Sequence, residues 1–377
     1  MKKFKLTLLP GDGIGKEVIN AVYPVFDKLE LDFNIKFGEI GWECWKKFGE
    51  PIPVDTWKLI DSSDAIILGA ITSKGIKESE DELDENLKGL GLKYISPIIQ
   101  LRQKLGLYAN IRPIFSIEGN KTQINDNINM IIIRENTEGL YAGLDFNPIP
   151  KELFEFLIKN KNKNYFWDLK SNDEGALSLR LLTKTGLERI IRCAFKIARD
   201  KNFNLLTWVD KPNVMRESGQ FAINILSNIA KEFPEINWEV RNVDAMAMWM
   251  VKDPSKFGVI VSENQFGDIL SDLGAGLMGG LGFAPSINLG ENNCYYEPVH
   301  GSAPKYAGLN KVNPTAMFLT IALMLENHGF EEKSKLIKKA INQVISENKI
   351  VTYDLGGTAS TSEMADEIIR RIGESHE

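Results

Sequence analysis

Two aspartates four residues apart, Asp268 and Asp272 in ENQFGDILSD, fall on one face of a helix. Like charges at that spacing repel unless a cation sits between them. Oxygen-only ligands suit Mg²⁺ or Mn²⁺ better than zinc. The apolar context ILSDLGAGLMGGLGFAP implies that both acids are partly buried. A third acid, Asp244, ends the strand-like segment INWEVRNVD. The chain has only three histidines, His300, His328 and His376, so any metal must be held mainly by oxygen.

Three arginines recur beside apolar segments: Arg102 and Arg112 in LRQKLGLYANIRP, and Arg134 at the end of MIIIR. Guanidinium forks grip carboxylates in bidentate fashion, so the three could cradle a di- or tricarboxylate, although on spacing alone surface salt bridges are the better reading. Arg134 ends a strand that reads as buried, where an unpaired charge is costly. Lys211 in VDKPNV ends another strand, and Tyr141 follows Arg134 by seven residues. A lysine and a tyrosine near a metal form a serviceable acid/base pair. These residues predict a metal and carboxylate site without naming a reaction.

The elements that must hold them alternate. FKLTLLP reads as a strand, KEVINAVYPVFDKL as a helix, FNIKFGEI as a strand, VDTWKLIDSS as a helix and DAIILGA as a buried strand. This order predicts an α/β fold with parallel pairs. Residues 72–94 read as a mobile loop or solvated helix, and residues 146–173 as a protruding arm that packs on a partner subunit, with a solvated loop as the alternative. YANIRPIF, INMIIIREN, LLTWVD, INWEVRNVD and FGVIVSEN read as further strands, with helices over residues 95–107, TKTGLERIIRCAFKIARDK and FAINILSNIAKEF.

With 377 residues, 43% hydrophobic and 25% charged, the chain is long enough for two lobes. A net charge of −6 gives no footprint for nucleic acid or an acidic membrane surface. No apolar run approaches a membrane span, and Cys44, Cys193 and Cys294 lack disulfide or zinc spacing, so a cytoplasmic setting is expected. Gly11, Gly13 and Gly15 in GDGIGKE follow a strand and open a helix. Their GxGxG spacing differs from the dinucleotide fingerprint GxGxxG, and a tight turn needing glycine dihedrals is the preferred reading.

Taken together, LLPGDGIGKEV, LRQKLGLYANIRP, IRENTEGLYAG, VDKPNV, NQFGDILSD and EPVHGSAPKYAGLNKVNPTA resemble the isocitrate/isopropylmalate dehydrogenase family, in six ordered blocks covering about residues 5–370. The resemblance implies a three-layer, two-lobed α/β fold that is not a Rossmann fold. It places a large cofactor-binding domain at 1–107 plus 256–377, and a small substrate and dimerisation domain at 108–255. It implies NAD(P)- and metal-dependent oxidation and decarboxylation of a malate substituted at carbon 3. Arg102, Arg112 and Arg134 would then grip the malate carboxylates, and Asp244, Asp268 and Asp272 would hold Mg²⁺ or Mn²⁺. Lys211 would serve as general base and Tyr141 as the acid that protonates the enol carbon. Lys211 and Asp244 would reach into the site of a partner, which makes a homodimer obligatory.

The resemblance also implies a cofactor lying along residues 297–313, with Glu297, His300, Gly301, Ala303 and Asn313 beside it, and Thr72 and Asn213 nearby. NAD-using relatives carry an acid two residues after Ala303, where this chain has Lys305 and then Tyr306. A cation and a phenol suit a 2′-phosphate, so NADP is expected over NAD, with Tyr353 as a further contact. The arginine expected four residues after Tyr353 is Gly357 here.

For the substituent, isocitrate enzymes use a Ser and an Asn six and four residues before the first arginine. Ser96 is present, but Ile98 and Ile99 occupy the region of the Asn. Two apolar side chains suit a branched alkyl group, which makes 3-isopropylmalate the expected substrate. NADP-dependent isocitrate oxidation is the alternative, then homoisocitrate, tartrate or malate. A non-catalytic regulatory subunit is the rival of another class, and the intact Asp244, Asp268, Asp272, Lys211 and Tyr141 argue against it.

Overall fold

A computed structural model describes residues 3–161 and 167–374. His376, and residues 162–166 of the expected arm, lie outside them. The strands in chain order are β1 (Phe4–Gly11), β2 (Phe33–Phe37), β3 (Ala65–Ala70), β4 (Ala109–Phe115), β5 (Asn129–Glu135), β6 (Asp145–Phe146), β7 (Leu177–Ser178), β8 (Leu205–Asp210), β9 (Asn237–Asn242), β10 (Val259–Ser262), β11 (Pro285–Leu289) and β12 (Cys294–Pro298). Ten of them form one sheet in the order β2-β1-β3-β12-β11-β4-β5-β10-β8-β9, and β6 pairs with β7 alone.

Pairing is parallel at both ends of the sheet and antiparallel where β12, β11, β4 and β5 meet in the middle. Every residue of β3 and β10 is buried, and so is every residue of β5 after its first. Strands buried on both faces are the mark of a sheet covered by helices on each side. The chain is therefore a mixed α/β fold with a large, mostly parallel sheet, and not a Rossmann arrangement. β10, which follows residue 256, pairs between β5 and β8, so the sheet runs unbroken across the expected division into lobes.

Three local expectations need correction. The first long helix is interrupted at Pro24, giving Ile14–Val22 and Val25–Lys28, because proline removes an amide donor. Residues 72–94 carry a short helix, Ile76–Asp81, as one of the two readings had it, but the segment is anchored rather than free: Trp42 donates its indole N–H to Glu82 at 2.6 Å and Trp45 donates to the Ser79 carbonyl at 2.7 Å. Leu83, Leu87 and Tyr94 pack on the same two tryptophans. β9 stops at Asn242, so Asp244 lies in the first turn of the helix Val243–Lys252 rather than at a strand end. The expected arm carries the helix Lys151–Asn160, none of whose residues is buried, beside the β6–β7 ribbon.

The helix that presents the paired aspartates, Asn264–Leu277, begins with Glu263 accepting from the amides of Gln265 and Phe266. It packs on β5 and β4. Gly267 permits this approach, since a Cβ there would stand 2.8 Å from the Cβ of Arg134.

Candidate active site

Arg112 on β4 and Arg134 on β5 are 7% and 5% exposed, and both face the helix Asn264–Leu277. Arg134 forms an ion pair with Asp268 and donates to the Asn264 side-chain oxygen from Nε at 2.9 Å and Nη2 at 2.8 Å. Arg112 donates to Asp272 at 2.5 Å, lies 3.8 Å from Asp268, and donates from Nε to Asn110 at 2.8 Å. The Arg112 guanidinium thus reaches both aspartates. Burial pulls the Arg134 pKa down to about 10, against the opposing charge of Asp268.

Tyr141 sits in the short turn Leu140–Ala142, its hydroxyl 3.3 Å from Asp268 and its ring 5.5 Å from the Arg134 guanidinium. Burial and the Asp268 carboxylate raise its pKa, so the phenol holds its proton at neutral pH. The sequence expectation that both paired acids are partly buried holds for Asp268, whose side chain is 34% exposed. It fails for Asp272, at 58%. The apolar neighbours of Asp272 point to the other side of the helix, which buries Leu270, Gly274 and Leu277.

Lys211 and Asp244 form a separate pair. Lys211 follows β8, and its ammonium lies 2.5 Å from Asp244, whose side chain is 68% exposed. The hydrogen bond from Lys211 holds the Asp244 carboxyl below its ordinary pKa. Among the described residues, no hydrogen bond or ion pair joins this pair to the Asp268 cluster, and no three His, Cys, Asp or Glu side chains converge on a metal position. One chain therefore gathers Arg112, Arg134, Tyr141, Asp268 and Asp272, and leaves Lys211 with Asp244 apart.

The glycine turn meets the expected cofactor loop. Gly11 and Gly13 have positive φ, and a Cβ on either would collide with the carbonyl of Ala70 or of Ser302. Thr72 donates its hydroxyl to Ser302 at 2.6 Å, and the Ile14 amide donates to the Ser302 carbonyl at 2.9 Å. Ala303 takes φ +37°, a strained value for a residue with a Cβ. Asn313 donates to Asp354 at 2.9 Å, and His300 Nδ1 lies 3.1 Å from the Gly301 carbonyl. Lys305, Tyr306 and Tyr353 are exposed nearby, with the two phenol rings parallel at 6.2 Å. Asn213 is exposed beyond β8, in the turn after Lys211.

Arg102 and the substituent residues share the helix Pro97–Lys104. Ser96 precedes it and accepts from the Ser73 hydroxyl at 3.1 Å. Ile98 packs on the apolar cluster of Leu9, Leu68 and Leu101, whereas Ile99 is 47% exposed. The apolar pair is therefore split between core and surface. Arg102 keeps a buried Nε with no partner.

A family model described as isocitrate/isopropylmalate dehydrogenase matches residues 5–368. This chain belongs to that family. Protein DlpA of Legionella pneumophila is 49% identical over 97% of this chain, which spans 58% of that protein. Homoisocitrate dehydrogenase of Methanocaldococcus jannaschii is 39% identical, covering 98% of this chain and 97% of the relative. A 3-isopropylmalate dehydrogenase of Archaeoglobus fulgidus is 36% identical over 97% and 98%. A crystal structure of isocitrate dehydrogenase from Methylococcus capsulatus superposes with a TM-score of 0.83 at 36% identity, over 98% of this chain and 99% of that one.

Membership makes the chain an NAD(P)-dependent, β-decarboxylating hydroxy-acid dehydrogenase, in a family that depends on NAD(P) and a divalent metal and acts on small hydroxy acids. Its residues fit those groups. His300 Nε2 and Arg102 Nε are buried donors or acceptors without a protein partner, and the exposed aspartates supply oxygen ligands. Among the described residues no helix is long and apolar enough to cross a membrane.

Several positioning residues of this family member escaped the sequence reading. Asp12 accepts from the amides of Trp42 at 2.8 Å and Thr72 at 2.9 Å, while burial raises its pKa. Asn288 is fully buried: it accepts from Asn110 at 3.1 Å and Asn136 at 2.9 Å and donates to Glu297 at 2.7 Å. This chain of amides links Arg112 to Glu297. The Asp in GDG and the Asn in ENQFGD were visible signals for Asp12 and Asn264; Asn288, in an apolar stretch, offered none.

Proposed function

We propose that this chain oxidises and decarboxylates a malate carrying an apolar substituent at carbon 3, with 3-isopropylmalate as its substrate and NADP preferred over NAD. The observation that carries the reaction is the convergence of Arg112, Arg134, Tyr141, Asp268 and Asp272 at one end of β4, β5 and their covering helix. Two buried arginines, joined by Arg102, form a fork set for the two malate carboxylates.

Lys211, in its neutral amine form, accepts the hydroxyl proton as carbon 2 gives up its hydride to the nicotinamide. The ketone then withdraws electrons from the bond to the β-carboxylate, which leaves as CO₂. Tyr141, kept protonated by burial and by Asp268, returns a proton to carbon 3. A divalent metal held by Asp244, Asp268 and Asp272 supplies Lewis-acid stabilisation of the developing negative oxygen when bound. Because Lys211 and Asp244 stand apart from the cluster and Asp244 is exposed, the second half of the site comes from another copy of the chain in a homodimer.

Ile99 supports the apolar substituent. It stands exposed three residues before Arg102, on the same side of the helix, where a carboxylate would lose water without gaining a donor. The Ser73–Ser96 hydroxyl pair favours a second reading, a carboxylate-bearing substituent as in isocitrate. Initial rates with Mg²⁺ or Mn²⁺ on 3-isopropylmalate and isocitrate, each with NADP and NAD, decide between them. A higher kcat/KM for isocitrate rejects the apolar pocket.

A further inference from the structure

The loop that carries Lys305 and Tyr306 holds a second ammonium group. Lys311 Nζ lies 4.9 Å above the ring of Tyr353, whose other neighbour is the Tyr306 ring, parallel to within 9° at 6.2 Å. Lysine, tyrosine and tyrosine thus form a ladder at the surface, with Lys305 next to Tyr306 in the chain. Among the described residues neither Lys305 nor Lys311 is within ion-pair distance of a carboxylate, so both charges are open to an anion.

Position 357 cannot supply that charge. A Cβ on Gly357 would collide with the Val351 carbonyl, so an arginine there requires a different backbone. Lys311 comes from the other side of the same tyrosine. Asn310 and Val312 on either side of it are fixed: the Asn310 side chain accepts from the Ser362 amide at 3.0 Å, and the Thr361 hydroxyl donates to the Val312 carbonyl at 2.6 Å. The Gly308 amide donates to Glu17 at 2.8 Å, tying the loop to the helix that begins after the glycine turn. An ammonium on an anchored backbone loses less freedom on binding than one on a free loop.

We infer that Lys311 is a specificity-determining residue that binds the 2′-phosphate of NADP together with Lys305, Tyr306 and Tyr353, in place of the missing arginine. This rests on the NADP reading above. The Lys311 side chain leaves Tyr353 and donates to a phosphate oxygen, while the phenols donate from the flank. A ribose hydroxyl offers no charge, so NAD gains nothing from Lys311.

The test uses the full chain and two probes that need no turnover, adenosine 2′,5′-bisphosphate and adenosine 5′-phosphate, titrated calorimetrically into the wild type, Lys311→Gln and Lys311→Arg. The wild type is expected to prefer the bisphosphate. Lys311→Gln should lose roughly tenfold in affinity for the bisphosphate alone, and Lys311→Arg should retain most of it. kcat/KM should fall for NADP and stay within about twofold for NAD. A wild type that binds both probes alike sinks the NADP reading. A wild type that discriminates while Lys311→Gln discriminates equally well overturns the assignment of Lys311 alone. Equal loss for both probes overturns it too, because Lys311 would then be shaping the loop rather than reading the phosphate.

Discussion

In the proposed reaction the arginine–aspartate cluster and the surface groups act from opposite physical settings. Arg112 and Arg134 are built into the central strands, their guanidinium groups held by Asn110, Asn264, Asp268 and Asp272. Lys211, Asp244, Lys305 and Lys311 stand on helix ends and loops, and the last three are exposed. On the proposed reading, groups that bind the constant part of the substrate, the malate carboxylates, can be fixed once and buried. Groups that must move a proton or meet another molecule stay at the surface, where they cost the fold nothing to change. The contrast predicts that substitutions in the buried half harm folding and activity together, whereas those in the exposed half harm activity or selectivity alone.

Lys211→Met should produce the largest catalytic loss, about 10³-fold in kcat, at unchanged Tm and nearly unchanged substrate affinity. Retained turnover would remove Lys211 from the chemistry. Next comes Arg134→Met, which leaves Asp268 without the nearer of its two buried partners. It should lower stability by about 3 kcal/mol in urea unfolding and reduce activity at least 10²-fold. A stable but inactive variant would break the link between burial and function.

Asn288→Ala should cost about 2 kcal/mol, because Asn110, Asn136 and Glu297 each lose a buried partner. A rise in KM for the substrate would accompany it if the amide chain orients Arg112. Lys305→Asp with Tyr306→Ile should move the NADP/NAD ratio of kcat/KM by roughly tenfold toward NAD, with no change in Tm.

The smallest effect is expected for Asp244→Asn on stability. The Lys211 bond lowers the Asp244 pKa, so its contribution is present above the ordinary value of 3.8 and is lost as pH falls through the depressed value. At an exposed site that contribution should not register in Tm at neutral pH, and a clear drop would show that the pair is structural.

Periodicity made most of the sheet legible, because β3, β5, β8 and β10 are short, continuous apolar runs. It gave no access to partners distant in the chain. Residues 72–94 read as a mobile loop or solvated helix because their anchors, Trp42 and Trp45, lie 40 and 34 residues before the Glu82 and Ser79 they bond. The expected strand INWEVRNVD overruns by two residues, because only the change of period at Val243 marks the helix that holds Asp244. The four-residue spacing of Asp268 and Asp272 placed them on one helix, where Arg112 reaches both carboxylates. The split of Ile98 and Ile99 between core and surface follows from the direction of a helix axis, which spacing alone does not contain.

The claim that the two halves belong to different copies of one site is tested by mixing two inactive proteins. Lys211→Met and Asp268→Asn chains, dissociated, combined in equal amounts and reassembled, should recover about a quarter of wild-type activity, since half the dimers carry one intact site of two. Dimers shown by mass spectrometry to contain both chains, yet without activity, would contradict the account.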